Sequence, residues 1–256
     1  MDKMWNLTQE QWSSVLKSNE NPAALADGLR HVGAFVPWSR LLVTETADCT
    51  TTVDLGCGRG EHSAVLAMAG KRTTLVDWSQ QNLTFAQGMY RALGLDGTFT
   101  RADITRPLPF GTASIDAVFS CGVFEYFNAA QIDAILAEAF RIARRRVIVM
   151  VPNASSVAYR LGKWYMEKTG SWEWGGEEPS HSLVSHFRKA GAANIREFSV
   201  GTRHALGFLS AIKGGGRVEK LLTRGLGLTD HPEPSRFNQG YLLVTMGECL
   251  GPGTAQ

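Results

Sequence analysis

The sequence predicts an α/β fold built on a mostly parallel sheet. Three observations carry that prediction. From Thr51 onward, short apolar runs alternate with helix-length amphipathic stretches, as strands joined by crossover helices do. In RVIVMV, Val147 to Val151 are all apolar, as in a strand covered on both faces. A glycine-rich turn, Gly56 to Gly60, follows the first apolar run directly. Turns of this kind, after a strand and before a helix, usually hold a cofactor.

The elements follow in order. TTVDLG is the first strand. AVLAMAG is a helix ending at Gly70, where glycine takes a left-handed cap. TTLVD is the second strand, and Ser79 caps a helix running to about Leu93. GTFTRAD and SIDAVFS are the third and fourth strands. In QIDAILAEAFRIA, the residues Ile132, Ile135, Leu136, Ala139 and Ile142 share one helical face. Arg144 to Arg146 read as a solvated helix end before the fifth strand, since cations suit a helix C-terminus. NIREFSV is a sixth strand. GYLLVTMGE is a seventh, after a long segment holding GGG, Pro232 and Pro234. Residues 1–48 read as a helical cap with breaks near Pro22 and Pro37. Residues 152–190 form an aromatic insert ending in a helix near Ser182 to Ala190. The expectation is one domain: a core over 49–151, C-terminal strands with a second insert over 191–248, and a frayed tail over 249–256.

Composition narrows the partners. The net charge is +2 with acids and bases mixed along the chain, so nucleic acid is not the default partner. The four cysteines have no CxxC spacing, which signals neither a zinc site nor a redox pair. No signal-peptide pattern opens the chain, and no apolar run reaches the roughly 18–20 residues of a membrane helix. A soluble, cytoplasmic protein without membrane insertion is expected.

The glycine turn is read by its acids as much as its glycines. No GxxxxGK[ST] phosphate loop occurs, and the third glycine of a GxGxxG fingerprint is replaced by Glu61. Asp54 ends the strand and Glu61 opens the helix. Carboxylates on both flanks oppose a pyrophosphate at a helix N-terminus and suit a cation without phosphate. S-adenosylmethionine is such a ligand. Asp54 and the backbone from Gly56 through Cys57 and Gly58 to Gly60 are placed for its methionyl end, with His62 beside them. Asp77, ending the second strand, is placed for the ribose hydroxyls. Trp78 is placed for the adenine face, and Asp103 and Ile104 for the adenine edge and an apolar wall.

These pieces resemble the class I S-adenosylmethionine-dependent methyltransferases, in their small-molecule, type 11-like branch. VDLGCGRG is similar to the family's first motif, LVDWS to its acidic loop, RADI to its adenine loop and SIDAVFSCGVFEYF to its fourth-strand motif. RVIVMVPN is similar to its fifth strand, so the resemblance runs from about Thr51 to Asn153. It implies a Rossmann-like seven-stranded sheet with helices on both faces and the last strand antiparallel. It also places the backbone of Ser120, Cys121 and Gly122 near the methionyl ammonium. The family commonly has GVLEHF where this chain has GVFEYF, so Tyr126 replaces a histidine.

Methyl transfer to a sulfonium's acceptor is an in-line displacement that rests mainly on positioning. A general base is needed only if the acceptor's proton must leave early. Candidates are His181 first, then Tyr126 and Glu125. The acceptor is expected to be a small molecule, met by Tyr126 and by Tyr159, Trp164, Trp172 and Trp174 of the insert; the alternatives are a peptide, protein or lipid acceptor, or a regulator that binds the cofactor without catalysis. Within the insert, WEWGGEEP can form a lid over an aromatic or cationic acceptor. No [DNS]PP[YFW] follows the fourth strand, Cys121 is not in a Pro-Cys motif, and the strand ends lack the acids of a metal-dependent catechol enzyme. His181 and His186 do not stack on one helix face. No metal is expected.

Overall fold

The structure is a computed structural model that describes residues 21–32, 37–228 and 234–250. Expectations for residues 1–20, 33–36, 229–233 and 251–256 therefore lie outside the described residues. Seven strands form one sheet in the order β3-β2-β1-β4-β5-β7-β6. They are β1 (Thr51–Leu55), β2 (Arg72–Asp77), β3 (Thr98–Arg101), β4 (Ile115–Cys121), β5 (Ala143–Pro152), β6 (Ala193–Val200) and β7 (Leu242–Glu248). The pairs β1–β2, β1–β4, β2–β3 and β4–β5 are parallel. β7 runs antiparallel to both β5 and β6. The chain winds outward from β1 in one direction and from β4 in the other, so the topological switch lies between them, where open α/β sheets bind ligands.

Strand residues alternate between two cores. Val53, Leu55, Val118, Val147 and Val149 pack under α5 (Ala129–Ile142) and α7 (Val184–Lys189). Phe119, Ile148 and Met150 pack on the other face against α2 (Pro37–Glu45) and α3 (Glu61–Met68). Leu75 joins α3, α4 (Gln80–Leu93) and α1 (Pro22–Val32) on that same face. The one-sided face of α5, Ile132 through Ile142, is buried as its periodicity predicts. Ser79 Oγ accepts from the Asn82 N–H and caps α4. Asn128 and Gln131 form a reciprocal capping box at α5.

Several boundaries differ from the sequence reading. Pro22 and Pro37, where breaks are expected, are the first residues of α1 and α2, because the first helical turn has no use for the missing N–H. Arg144 to Arg146 are not a helix end; they are the first residues of β5 after Ala143. Carboxylates beside that edge hold them extended. Arg144 donates to Asp116. Arg145 and Arg146 reach Asp48 at 3.1 and 2.7 Å. The insert contains α6 (Val157–Thr169) before α7. Between β6 and β7 the chain forms α8 (Thr202–Gly207) and α9 (Gly215–Gly225), and the GGG run opens α9. Among the described residues, no helix is long and apolar enough to cross a membrane.

Asp116 ties the strand starts together. Its buried carboxylate accepts from the Thr50 N–H, the Thr51 N–H and Thr51 Oγ1 at 2.9, 3.0 and 3.1 Å. Burial alone would raise its pKa, but Arg144 and these donors outweigh burial and hold the carboxyl well below the usual carboxylate range. Its stabilisation is therefore complete above about pH 4 and lost as pH falls. Asp116→Ala is expected to cost about 2–3 kcal/mol by stranding two N–H groups, read as a lower denaturation midpoint at pH 7. The difference from the parent should shrink as the pH is taken below 4.

Candidate active site

The glycine turn is fixed by backbone geometry. Gly56 and Gly60 have φ of 74° and 81°, a region that side chains other than glycine rarely enter. A Cβ on Gly56 would lie 2.7 Å from Val123 Cγ2, and one on Gly60 would lie 2.6 Å from Leu75 Cδ2. The N–H groups of Gly56 and Cys57 both donate to Val76 O, at 2.8 and 3.0 Å. Asp77 completes the arrangement. Its carboxylate accepts from the Gly58 N–H at 2.9 Å, the Ser79 N–H at 2.8 Å and Asn82 Nδ2 at 3.3 Å. One side chain thus joins the glycine turn after β1 to the start of α4.

A cavity of about 630 Å³ opens over the carboxyl ends of β1, β2 and β4. Gly56, Cys57, Gly58 and His62 form its floor near the turn. Asp77 and Trp78 follow, then Asp103 and Ile104, then Cys121 and Gly122. Asp54, Gly60 and Ser120 are not on the wall. Alternation along β1 turns Asp54 toward α3, where it is buried and accepts from Ser63 Oγ at 2.8 Å. Ser120 Oγ donates to Leu55 O at 2.7 Å and so links β4 to β1. These residues support the turn from below. Glu61 lines the cavity but pairs with Arg59 at 2.7 Å, so only part of its charge faces a ligand.

The electrostatics are those of a crowded acidic end. Burial raises the Asp54 carboxyl to about 7; the Ser63 hydrogen bond opposes this, and the charges of Asp77 and Glu61 add to it. Burial also raises Asp77, against its three donors. Burial pushes the His62 pKa down, and its Nδ1 lies 2.9 Å from Ser39 Oγ. Burial pushes the thiols of Cys57 and Cys121 well up, keeping both protonated. Asp103 Oδ1 accepts from the Thr105 N–H and Oγ1 at 2.9 and 2.7 Å, which sets the loop after β3.

The far end of the cavity is aromatic and acidic. Glu125 and Tyr126 come from the 3-10 turn after β4, and Trp174 and Glu177 from the insert. Trp38 of α2 and Tyr241, just before β7, close the remaining sides. The insert is pinned here: the Glu178 N–H donates to Glu125 O at 3.0 Å, and the Ser180 N–H to Pro152 O at 2.9 Å. Tyr126 Oη donates to Trp174 O at 3.3 Å. Tyr159 is fully buried behind this wall and donates to Glu177. Trp172 lies off the wall under Lys163, 4.3 Å from Nζ to the ring centre. Trp164 is exposed. His181 is exposed as well, near Ser155 Oγ at 3.4 Å and away from the cavity. Trp38, Glu177 and Tyr241 were not singled out by sequence. Glu177 stood within WEWGGEEP, but nothing in PWS or GYLL marks a site. Among the described residues, no group of three or more His, Cys, Asp or Glu is gathered to hold a metal ion.

Comparison with known proteins agrees with this geometry. Residues 52–146 match the family model of a methyltransferase domain. An O-methyltransferase family protein of Burkholderia thailandensis is 14% identical with a TM-score of 0.58, over 96% of this chain and 64% of that one. A SAM-dependent methyltransferase of Thermotoga maritima, titled a possible histamine N-methyltransferase, is 17% identical with a TM-score of 0.57, over 88% and 94%. The magnesium protoporphyrin IX methyltransferase of Synechocystis PCC 6803, solved with bound SAH, is 16% identical with a TM-score of 0.53, over 94% and 93%. No curated protein sequence matches the chain. Residues 52–146 thus match a methyltransferase domain, and the solved structures share the fold of the whole sheet.

Two outcomes follow for the cofactor end. Asp77→Ala frees the Gly58 and Ser79 N–H groups and should weaken S-adenosylhomocysteine binding by about 10–100-fold, read by calorimetry; unchanged affinity would remove Asp77 from the site. Asp54 has a folded pKa above its unfolded value near 4, so its contribution to stability is present below about pH 4 and lost as pH rises through about 7. Asp54→Asn should therefore raise the unligated protein's Tm more at pH 8 than at pH 5, checked by calorimetric scans at both.

Proposed function

We propose that this protein transfers the methyl group of S-adenosylmethionine to O, N or C of a small organic molecule. The observation that supports this most is one continuous cavity with two chemically different ends. One end carries the glycine turn and Asp77; the other carries Trp38, Tyr126, Trp174 and Tyr241. Its volume of about 630 Å³ falls in the range of roughly 300–1,000 Å³ usual for small-molecule and cofactor pockets. With the cofactor in place, the remaining space suits a compact acceptor better than a folded protein segment. The named neighbours act on different acceptors, and at their identities they speak for the fold alone.

The residues present fit the cofactor. The Gly56 and Gly58 backbone, with Gly122, would receive the methionyl end. Asp77 would accept from the ribose, and Trp78, Asp103 and Ile104 would hold the adenine. A cation at this end relieves the mutual repulsion of Asp54, Asp77 and Glu61. When bound, the sulfonium supplies an activated methyl and an excellent leaving group. The chain's own task is then to fix the acceptor atom in line and to keep the site dry. Such positioning is worth roughly 7–11 kcal/mol. The aromatic wall and the pinned insert do both.

The test is a screen of methyl-labelled cofactor against a small-molecule library, with product S-adenosylhomocysteine counted against methylated acceptor. One-to-one formation with at least one compound is expected. Label transferred only to peptides, proteins or lipids would replace the small-molecule reading. Tight cofactor binding with no transfer to any of these would leave a regulator that binds the cofactor without using it.

A further inference from the structure

Two carboxyl groups sit at the aromatic end of the cavity, and among the described residues no cation stands beside them on the wall. Glu125 is 5% exposed, and its Oε2 has no hydrogen-bond partner. Glu177 is equally buried and, among the described residues, takes the Tyr159 hydroxyl. Both line the cavity. Among the described residues, the basic ones that line it are Arg59 and His62, at the opposite end, with Arg59 paired to Glu61. Lys163 acts on Glu177 from behind the wall, but its Nζ is bonded to Glu167 at 2.5 Å and stacked on Trp172. Burial drives both carboxyls upward, and the charge of each one's neighbour adds to it: Glu177 for Glu125, Glu167 for Glu177. A buried carboxylate with an unmade hydrogen bond is costly and needs a ligand group to complete it.

The surrounding surface favours one kind of ligand. Tyr126 and Tyr241 both feel the charges of Glu125 and Glu177, so these rings stand beside the acids. Trp38 lies 5.8 Å from the Tyr241 ring, centre to centre, and the Trp174 carbonyl holds Tyr126. Aromatic faces around two carboxyl groups form a site for an organic cation. A hydroxyl or carboxylate acceptor would leave at least one acid unpaired or face direct repulsion.

We propose that the acceptor is a small protonated amine, held by Glu125 and Glu177 between Trp38, Tyr126, Trp174 and Tyr241, and that methylation falls on its nitrogen. This rests on the methyl-transfer reading. The bound ammonium's charge favours the carboxylate form of Glu125; that carboxylate then takes one proton from the ammonium and becomes a neutral acid, leaving a lone pair on nitrogen. That pair forms the N–C bond as the C–S bond breaks, and the bonding electrons go to sulfur. The products are a methylated ammonium, neutral S-adenosylhomocysteine and one proton, which Glu125 passes to solvent. A carboxyl raised by burial is suited to this exchange.

The experiment uses the full chain saturated with S-adenosylhomocysteine and a panel of arylalkylamines, each with its alcohol and carboxylate counterpart; 2-phenylethylamine, 2-phenylethanol and phenylacetate form one set. Calorimetry should find at least one amine bound ten-fold or more tighter than its counterparts. Glu177→Gln and, separately, Glu125→Gln should each reduce that preference by ten-fold or more, with S-adenosylhomocysteine binding as the check that each variant is folded. Methyl-labelled cofactor should then label the nitrogen of the preferred amine. Equal or better binding of the alcohols or carboxylates would overturn the proposal. So would a preference for amines that survives both substitutions, or the binding of no amine by protein that binds S-adenosylhomocysteine. Failure to bind S-adenosylhomocysteine at all would instead overturn the methyl-transfer reading beneath it.

Discussion

The Asp77 carboxylate is the point on which the cofactor end depends. It collects N–H groups from the turn after β1 and from the start of α4, at 2.9 and 2.8 Å. Asp77 itself is distant in sequence from the glycines it organises. The parallel pairing of β1 with β2 sets Leu55 beside Val76, so the ends of the two strands arrive together and the acid falls beside the turn. The glycines then do what no other residue can: they enter left-handed backbone where Val123 and Leu75 leave no space for a Cβ. Remove the acid and the turn keeps its shape-permitting residues but loses what holds it.

That arrangement has a cost. Asp54, Glu61 and Asp77 sit close enough that burial and mutual repulsion push the Asp54 carboxyl to about 7. A fold selected for stability alone would not gather acids under one turn. The charge makes sense as complementarity to a cation, and the sulfonium and ammonium of S-adenosylmethionine provide one. The same logic recurs at the other end of the cavity, where Glu125 and Glu177 are buried beside aromatic rings. The two ends differ in what supports the acids: backbone N–H groups for Asp77, and almost nothing for Glu125.

Much of the cofactor core was legible in the sequence because its signals are local. TTVDLG, TTLVD and RVIVMV fold as strands, and Ser79 and the α5 face behave as their patterns indicate. Local signals failed where tertiary contacts decide. Arg144 to Arg146 look like a helix end until Asp116 and Asp48 are seen across the sheet edge. Asp54 looks like a ligand-facing acid, but strand alternation turns it under α3. The acceptor wall was least legible, because it draws single residues from α2, the turn after β4, the insert and the entry to β7. Tyr159, Trp164 and Trp172 form an aromatic cluster in sequence, yet the wall takes Trp174 and Glu177 from the same insert and passes over those three.

The cavity is polarised along its length: the cofactor belongs over the glycine turn, with its sulfur directed at the aromatic, acidic end. A crystal structure of the complex with S-adenosylhomocysteine tests this most directly. Ribose oxygens are expected on Asp77, adenine beside Trp78 and Ile104, and the sulfur facing Tyr126 and Glu125 across open space. Adenine lodged among Trp38, Tyr126 and Tyr241, or sulfur turned away from Glu125, would contradict it.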